Sequence, residues 1–267
     1  MVQISILGCG WLGLPLAKQL IAQGNAVKGT TTTPEKTAVL QQAGINPYVI
    51  TLHEDRIEGD IDTFLSGSEV LILDVPPGVR KNDSENFVAK INTLIPAIVA
   101  SGITKVLFVS STSVYGEIDG IVTEAAMPNP ETKSGRQLLE TELLLQSNVN
   151  FKTTIVRFGG LIGDDRHPVY YLSGKTNISN PNAVINLIHR DDCMGIILKI
   201  IEADAWSDVF NAVTPYHPTR QEYYTKAAKE RKLPVPLFNS EEPSITKRIT
   251  SNRVKQVLGY CFKYSNL

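Results

Sequence analysis

Cysteine is scarce in this sequence, and what there is does not pair up. Among 267 residues only Cys9, Cys193 and Cys261 are cysteines, an odd number at distant positions. No disulfide framework is expected from them, and a reducing, cytoplasmic setting is. An excess of charge of either sign is missing too. Lys plus Arg number 26 against 27 Asp plus Glu, a net charge of −1, which gives no general field to attract a phosphate backbone or anionic lipid, so neither nucleic acid nor a membrane surface is an expected partner. No uninterrupted apolar run reaches the roughly 18 residues of a membrane helix. The uncharged start, Met1–Ala17, has no Lys or Arg before Lys18 and is cut by Gly8, Gly10 and Gly13, so it does not read as an export signal. The four histidines and three cysteines show no zinc spacing, and no G-x-S-x-G elbow or P-loop lysine occurs; no metal is expected.

What is present is an ordinary globular composition, 42% hydrophobic and 20% charged, arranged as alternating short β-rich runs and helical stretches. VQISILG reads as a buried strand and WLGLPLAKQLIAQG as the helix after it. NAVKGTT, NPYVITL, EVLILDV, TKVLFVSS and FKTTIVRFG read as five more strands. Between them lie TPEKTAVLQQAG, with Thr33 as cap and Pro34 in first position, SENFVAKINTLIPAIVASG, and a helix over 133–147. This rhythm predicts an α/β fold, a Rossmann-type doubly wound parallel sheet with a small carboxyl-terminal substrate lobe. After Gly163 the chain turns polar and proline-interrupted. AVINLIH and an Asp-capped helix, DDCMGIILKIIEA, are expected to return it to the sheet, and VFNAV to close it. The expected division is a dinucleotide-binding core of 1–163 completed by 184–213, with 164–183 and 214–267 forming the lobe. Ligands of open α/β sheets bind at the carboxyl edge.

The most informative motif is G-C-G-W-L-G, Gly8 to Gly13, between the first strand and its helix. In that context Gly8 makes the tight turn, Gly10 leaves room for a diphosphate at the backbone, and Gly13 permits close helix packing. Trp11 and Leu12 complete the expected cofactor loop. An NAD-selective site places Asp or Glu at the end of the second strand, about 20 residues on. Here stands GTTTTPEK, with no carboxylate before Glu35. Thr30, Thr31, Thr32 and Lys36 offer donors to a 2′-phosphate, so NADP is favoured over NAD.

Four ordered motifs carry a resemblance to a known family: GCGWLG, then S110-S-T-S-V-Y-G116, RFGGLIG (157–163) and INLIHRDD (185–192). Together they resemble the extended short-chain dehydrogenase/reductases over essentially the whole chain, and more narrowly the YeeZ-like atypical group labelled NAD-dependent epimerase/dehydratase. The resemblance implies a NAD(P)-binding oxidoreductase or epimerase acting on a small-molecule substrate. It makes Ser111 the hydroxyl that orients substrate, and it lets Val75, Pro76 and Pro77 wall the cofactor. It also implies a Tyr-x-x-x-Lys pair on the following helix, but P-E-T-K-S-G-R-Q-L puts Ser134 and Leu138 in those two places. A serine has no accessible ionisation and a leucine no charge, so acid/base catalysis worth about 10² to 10⁴ in rate would need another group. Thr112 and Ser113 stand where dehydratases of the family carry an Asp-Glu pair.

Substitutes for that pair are few. Tyr115 is a catalytic candidate if its ring faces the nicotinamide end, and Lys133 adjoins the empty tyrosine position. Arg166 and His167, on a loop expected to overhang the cleft, suit an anionic substrate. His189 and Arg157 read as groups satisfied within the fold, and Cys9 as a steric occupant of the glycine turn. Extended relatives often pair through two helices, and LLETELLLQ (138–146) offers an apolar stripe for such a homodimer. A nucleotide-binding sensor without turnover is the competing expectation.

Overall fold

The computed structural model describes residues 2–78, 86–239 and 244–267. Seven strands form its central sheet: β1 (Gln3–Leu7), β2 (Ala26–Thr31), β3 (Asn46–Val49), β4 (Val70–Leu73), β5 (Lys105–Ser111), β6 (Lys152–Phe158) and β7 (Val209–Ala212). All neighbours run parallel, in the order β7-β6-β5-β4-β1-β2-β3. Parallel sheets need cover on both faces, and the side-chain alternation of each strand supplies two. Ile4, Ile6 and Ile72 point to one side, where Leu16 and Leu20 of α1 (Gly13–Ala22) and Ile196, Ile197 and Ile200 of α5 (Arg190–Glu202) meet them. Leu7, Leu71 and Leu73 point to the other, against Ile91, Leu94 and Ile98 of α3 (Phe87–Ser101) and Leu138 and Leu145 of α4 (Lys133–Gln146). The sequence predicts α3 from residue 84; 84 and 85, like the end of LDVPPGVR at 79 and 80, lie outside the described residues.

Three local expectations are corrected. Thr33 does not cap a helix: its side chain makes no capping bond, Pro34–Lys36 form a tight 3₁₀ turn, and Lys36 holds the cap position of α2 (Thr37–Gln42). Nor do Asp191 or Asp192 cap α5. His189 holds the cap position, its Nδ1 accepting the Asp191 N–H at 3.2 Å. The strand inside AVINLIH shrinks to Leu187–His189 and pairs in parallel with Gly160–Ile162, outside the central sheet.

A smaller cluster lies apart from the two on the sheet faces and joins residues from both expected divisions. Ile162, Val169, Ile185 and Leu187 pack with Tyr223, Tyr224, Ala227 and Ala228 of α6 (Arg220–Glu230). The lobe expected over 214–267 is redrawn at its far end. Val254 and Leu258 of α7 (Asn252–Leu258), with Tyr260, belong to the core beneath α1 and α5. Fully buried Asp192 fixes that segment, accepting from the Tyr260 hydroxyl at 2.7 Å and from the N–H groups of Lys263 and Tyr264 at 2.7 and 3.1 Å. Among the described residues no helix is long and apolar enough to cross a membrane.

Candidate dinucleotide site

The sheet register decides where the site lies. Ile6 pairs with Gly29 and Leu7 with Leu73, so the residues just beyond, Gly8, Thr30–Thr31 and Asp74, emerge side by side at the carboxyl edge. A cavity of about 360 Å³ opens there, and Gly8, Gly10, Thr30, Thr31, Thr32, Lys36, Val75, Pro76 and Pro77 all line it. Cys9, Asp74, Phe87 and Lys90 are also part of its wall. A roomier but open depression of about 690 Å³ follows Thr219, Glu222, Lys226 and Glu230 along α6. None of its lining residues belongs to the glycine turn or to the strand ends.

The turn itself is shaped by its glycines. Gly8 adopts φ +109°, open to glycine at no steric cost, and a Cβ there would stand 2.3 Å from the Asp74 carbonyl oxygen. A Cβ on Gly13 would lie 2.1 Å from Gly8 O, so α1 packs directly on the turn. Gly10 is different: nothing lies within 4 Å of where its Cβ would be. The backbone is bare there; Leu12, at the cap position of α1, makes no side-chain capping bond, and the Gly13 N–H is turned to the Asp74 carboxylate. A bare backbone at a helix start favours a bound anion.

The threonine run divides its labour. Thr30 is buried and braces the turn, its hydroxyl accepting the Gly8 N–H at 2.8 Å while its carbonyl accepts from Cys9 N–H at 2.9 Å. Thr31 is committed to Thr33. Thr32 and Lys36 remain exposed at the cavity rim. Cys9 is buried in the turn, and burial, with Asp74 nearby, pushes its thiol up to about 12, so it is no nucleophile.

Of the remaining loop residues, Leu12 turns its side chain into the core, 3% exposed. Trp11 turns away from the cavity, and its Nε1 donates to Asp165 at 2.9 Å. The Arg166 and Arg190 guanidinium groups lie 5.1 and 4.9 Å from the indole ring. The structure thereby joins an expected cofactor residue, Trp11, to an expected substrate residue, Arg166. The link is cation–π packing between the glycine turn and the 163–166 loop.

Two site candidates are corrected. Tyr115 is wholly buried. Its hydroxyl donates to Asn211 at 2.8 Å and accepts from Arg157, also at 2.8 Å, and burial raises its pKa. Arg157 is in turn paired with Glu142 at 2.6 Å, and Glu142 accepts from Ser110. Tyr115 is thus a member of a buried network, with its proton already committed. His167 is 6% exposed. Its Nδ1 accepts the Val169 N–H at 3.1 Å, which leaves Nε2 to donate to the Tyr223 hydroxyl at 2.8 Å. Burial, reinforced by Arg231, lowers its pKa to about 4, so it stays neutral and offers nothing to an anion.

Ser111 ends β5 half-buried, its oxygen accepting the Ser113 N–H at 3.2 Å and its own proton left to donate elsewhere. The start of α4 packs on this turn, with a Gly135 Cβ position only 2.7 Å from Ser113 O. Ser134 lies in that first turn beside Thr132, hydroxyl to hydroxyl at 3.3 Å, and Leu138 is buried in the core. From the far side Lys247 donates to the Gly116 carbonyl, a contact across 131 residues that nothing in the local sequence announces. Asp74, the acid inside LDVPPG, lines the same cavity, although the motif itself points only to Val75, Pro76 and Pro77. A carboxylate closing an all-apolar strand is the signal that marks it.

The class that this fold and turn define is confirmed by comparison. A family model described as NAD(P)H-binding matches residues 8–204, and the chain belongs to that family. It is 32% identical over 267 residues to Protein YeeZ of Escherichia coli K12, covering 99% of this chain and 97% of that one. Among solved structures, a functionally unknown conserved protein from Silicibacter pomeroyi superposes with TM-score 0.81 at 24% identity, over 100% of this chain and 95% of the other. The UDP-glucuronic acid 4-epimerase of Bacillus cereus, solved with NAD, superposes with TM-score 0.79 at 17% identity, over 98% and 91%. At those identities the likeness is one of fold.

Proposed function

We propose that the protein is a NAD(P)-dependent oxidoreductase or epimerase-like enzyme of atypical catalytic wall, with NADP favoured over NAD and a small, anionic substrate. The observation that carries this reading is the bare Gly10 backbone facing a cavity whose rim presents Thr32 and Lys36 and, up to Glu35, no carboxylate on the β2 side. The cofactor, when bound, supplies hydride chemistry. The chain's own part is to hold the diphosphate on Gly8–Gly13, to meet a 2′-phosphate with Thr32 and Lys36, and to keep Val75, Pro76 and Pro77 against the adenosine half. Ser111 orients substrate by donating its remaining proton. With Ser134 and Leu138 where the family keeps its ionisable pair, proton transfer falls to a group of the substrate or to a non-standard donor. Arg166 is the substrate-side cation that this reading retains.

A second reading, a nucleotide-binding sensor without turnover, is favoured by one fact: the ionisable candidates Tyr115 and His167 are both buried and engaged. A screen of hydride transfer between NADPH and aldehydes, ketones and nucleotide sugars separates the two. Turnover that falls at least tenfold in Ser111→Ala supports the enzyme. Tight cofactor binding without turnover on any of these substrates, unchanged in Ser111→Ala, supports the sensor.

A further inference from the structure

Asp74 stands in an unexpected place for a carboxylate. It follows the apolar strand β4 and lines the dinucleotide cavity, with part of its surface accessible from that side. Its main chain packs under Gly8, and its Oδ2 lies 3.1 Å from the Cβ position of Gly13. The acid therefore sits directly beneath the turn on which a diphosphate is to rest. Two negative phosphates brought beside an ionised carboxylate in a half-enclosed cavity repel it.

We propose that Asp74 enters the dinucleotide complex as the neutral acid, so that seating the diphosphate on the Gly8–Gly13 turn takes up one proton wherever Asp74 is ionised beforehand. This deepens the cofactor reading and rests on it.

The surroundings favour that state. Burial raises Asp74 from 3.8 to about 8, opposed only by the Gly13 N–H. The titratable groups packed near it are the Cys9 thiol of the glycine turn and the Cys193 thiol of α5, both held neutral by burial. Lys36 and Lys90 line the same cavity. A neutral carboxyl also keeps a proton to donate, which an ionised one lacks. Asp74 is thus a binding determinant that links nucleotide affinity to pH.

The test is calorimetric titration of the full chain with NADPH, and in parallel with NADH, between pH 7 and 9.5. Buffers of different ionisation enthalpy count the protons. The expected uptake is small at pH 7 and approaches one proton per nucleotide at pH 9, with affinity falling about tenfold per pH unit above Asp74's own titration. Asp74→Asn, with Asp74→Ser as a second variant, binds without uptake and with a flat profile. Binding by the unmodified protein with no proton uptake across this range overturns the proposal while leaving the cofactor reading standing, as does the same pH profile in Asp74→Asn. Absence of binding by either nucleotide at every pH overturns the cofactor reading itself, and the proposal with it.

Discussion

Gly10 and Gly13 are chemically identical and structurally opposite, and the difference is testable at a single atom. Adding a methyl group at Gly13 drives it into Gly8 O at 2.1 Å, whereas at Gly10 it enters open space. Gly13→Ala should therefore destabilise the fold. Gly10→Ala should melt like the unmodified protein but lose at least tenfold in nucleotide affinity, because the methyl fills the diphosphate's approach. Thermal melts beside binding titrations check both. The buried groups make their own predictions. Removing one partner of the Arg157–Glu142 pair, as in Glu142→Gln, should cost about 3–5 kcal/mol by leaving an unmatched buried charge. Tyr115→Phe should cost about 1–3 kcal/mol through orphaned partners. His167 has a folded pKa of about 4 against an ordinary 6.5. Its contribution to stability is therefore present above pH 6.5 and is lost as pH falls toward 4, because the unfolded chain takes the proton first. His167→Gln should flatten that limb of the denaturation profile. Asp74 works in the opposite sense: its raised pKa gives stability that is full below 3.8 and declines as pH rises through about 8.

At the scale of elements, what could be read in the sequence was what is local. The β1–turn–α1 unit, the parallel alternation and α4 follow from apolar spacing and glycine placement within about fifteen residues, and they stand where the pattern puts them. The features that escaped depend on partners far along the chain. His167 looks like a substrate contact on an overhanging loop until Tyr223, 56 positions on, covers it. Tyr115 looks available until Asn211, 96 positions on, takes its proton. Trp11 looks like a cofactor contact until Asp165, 154 positions away, claims its N–H. The helix caps failed for a related reason. Two aspartates stand in the first turn of α5, but the histidine at the true cap position has the geometry to accept the Asp191 N–H. His189→Ala should accordingly cost about 1 kcal/mol, while Asp191→Ala leaves that capping bond intact. Asp192→Asn should loosen Tyr260–Tyr264, read as faster amide exchange there, since Asp192 holds that segment by three hydrogen bonds.

At the scale of the whole molecule, the carboxyl edge of one parallel sheet gathers the turn, the threonine rim and the Asp74–Pro77 wall into a single cavity, while the 163–166 loop and the start of α5 reach the turn through Trp11. A ligand seated there binds only the folded chain, so it stabilises the fold by mass action, by about 2.7 kcal/mol at a hundredfold excess over Kd, and the melting temperature rises with it. The central claim is that a nicotinamide nucleotide rests on Gly8–Gly13. Calorimetric titration of the purified chain with NADPH and NADH, run beside Gly10→Ala, measures this directly. Saturable one-to-one heat in the unmodified protein, stronger for NADPH and at least tenfold weaker in a normally folded Gly10→Ala, is the predicted result. No heat with either nucleotide, or equal binding by Gly10→Ala, would contradict it.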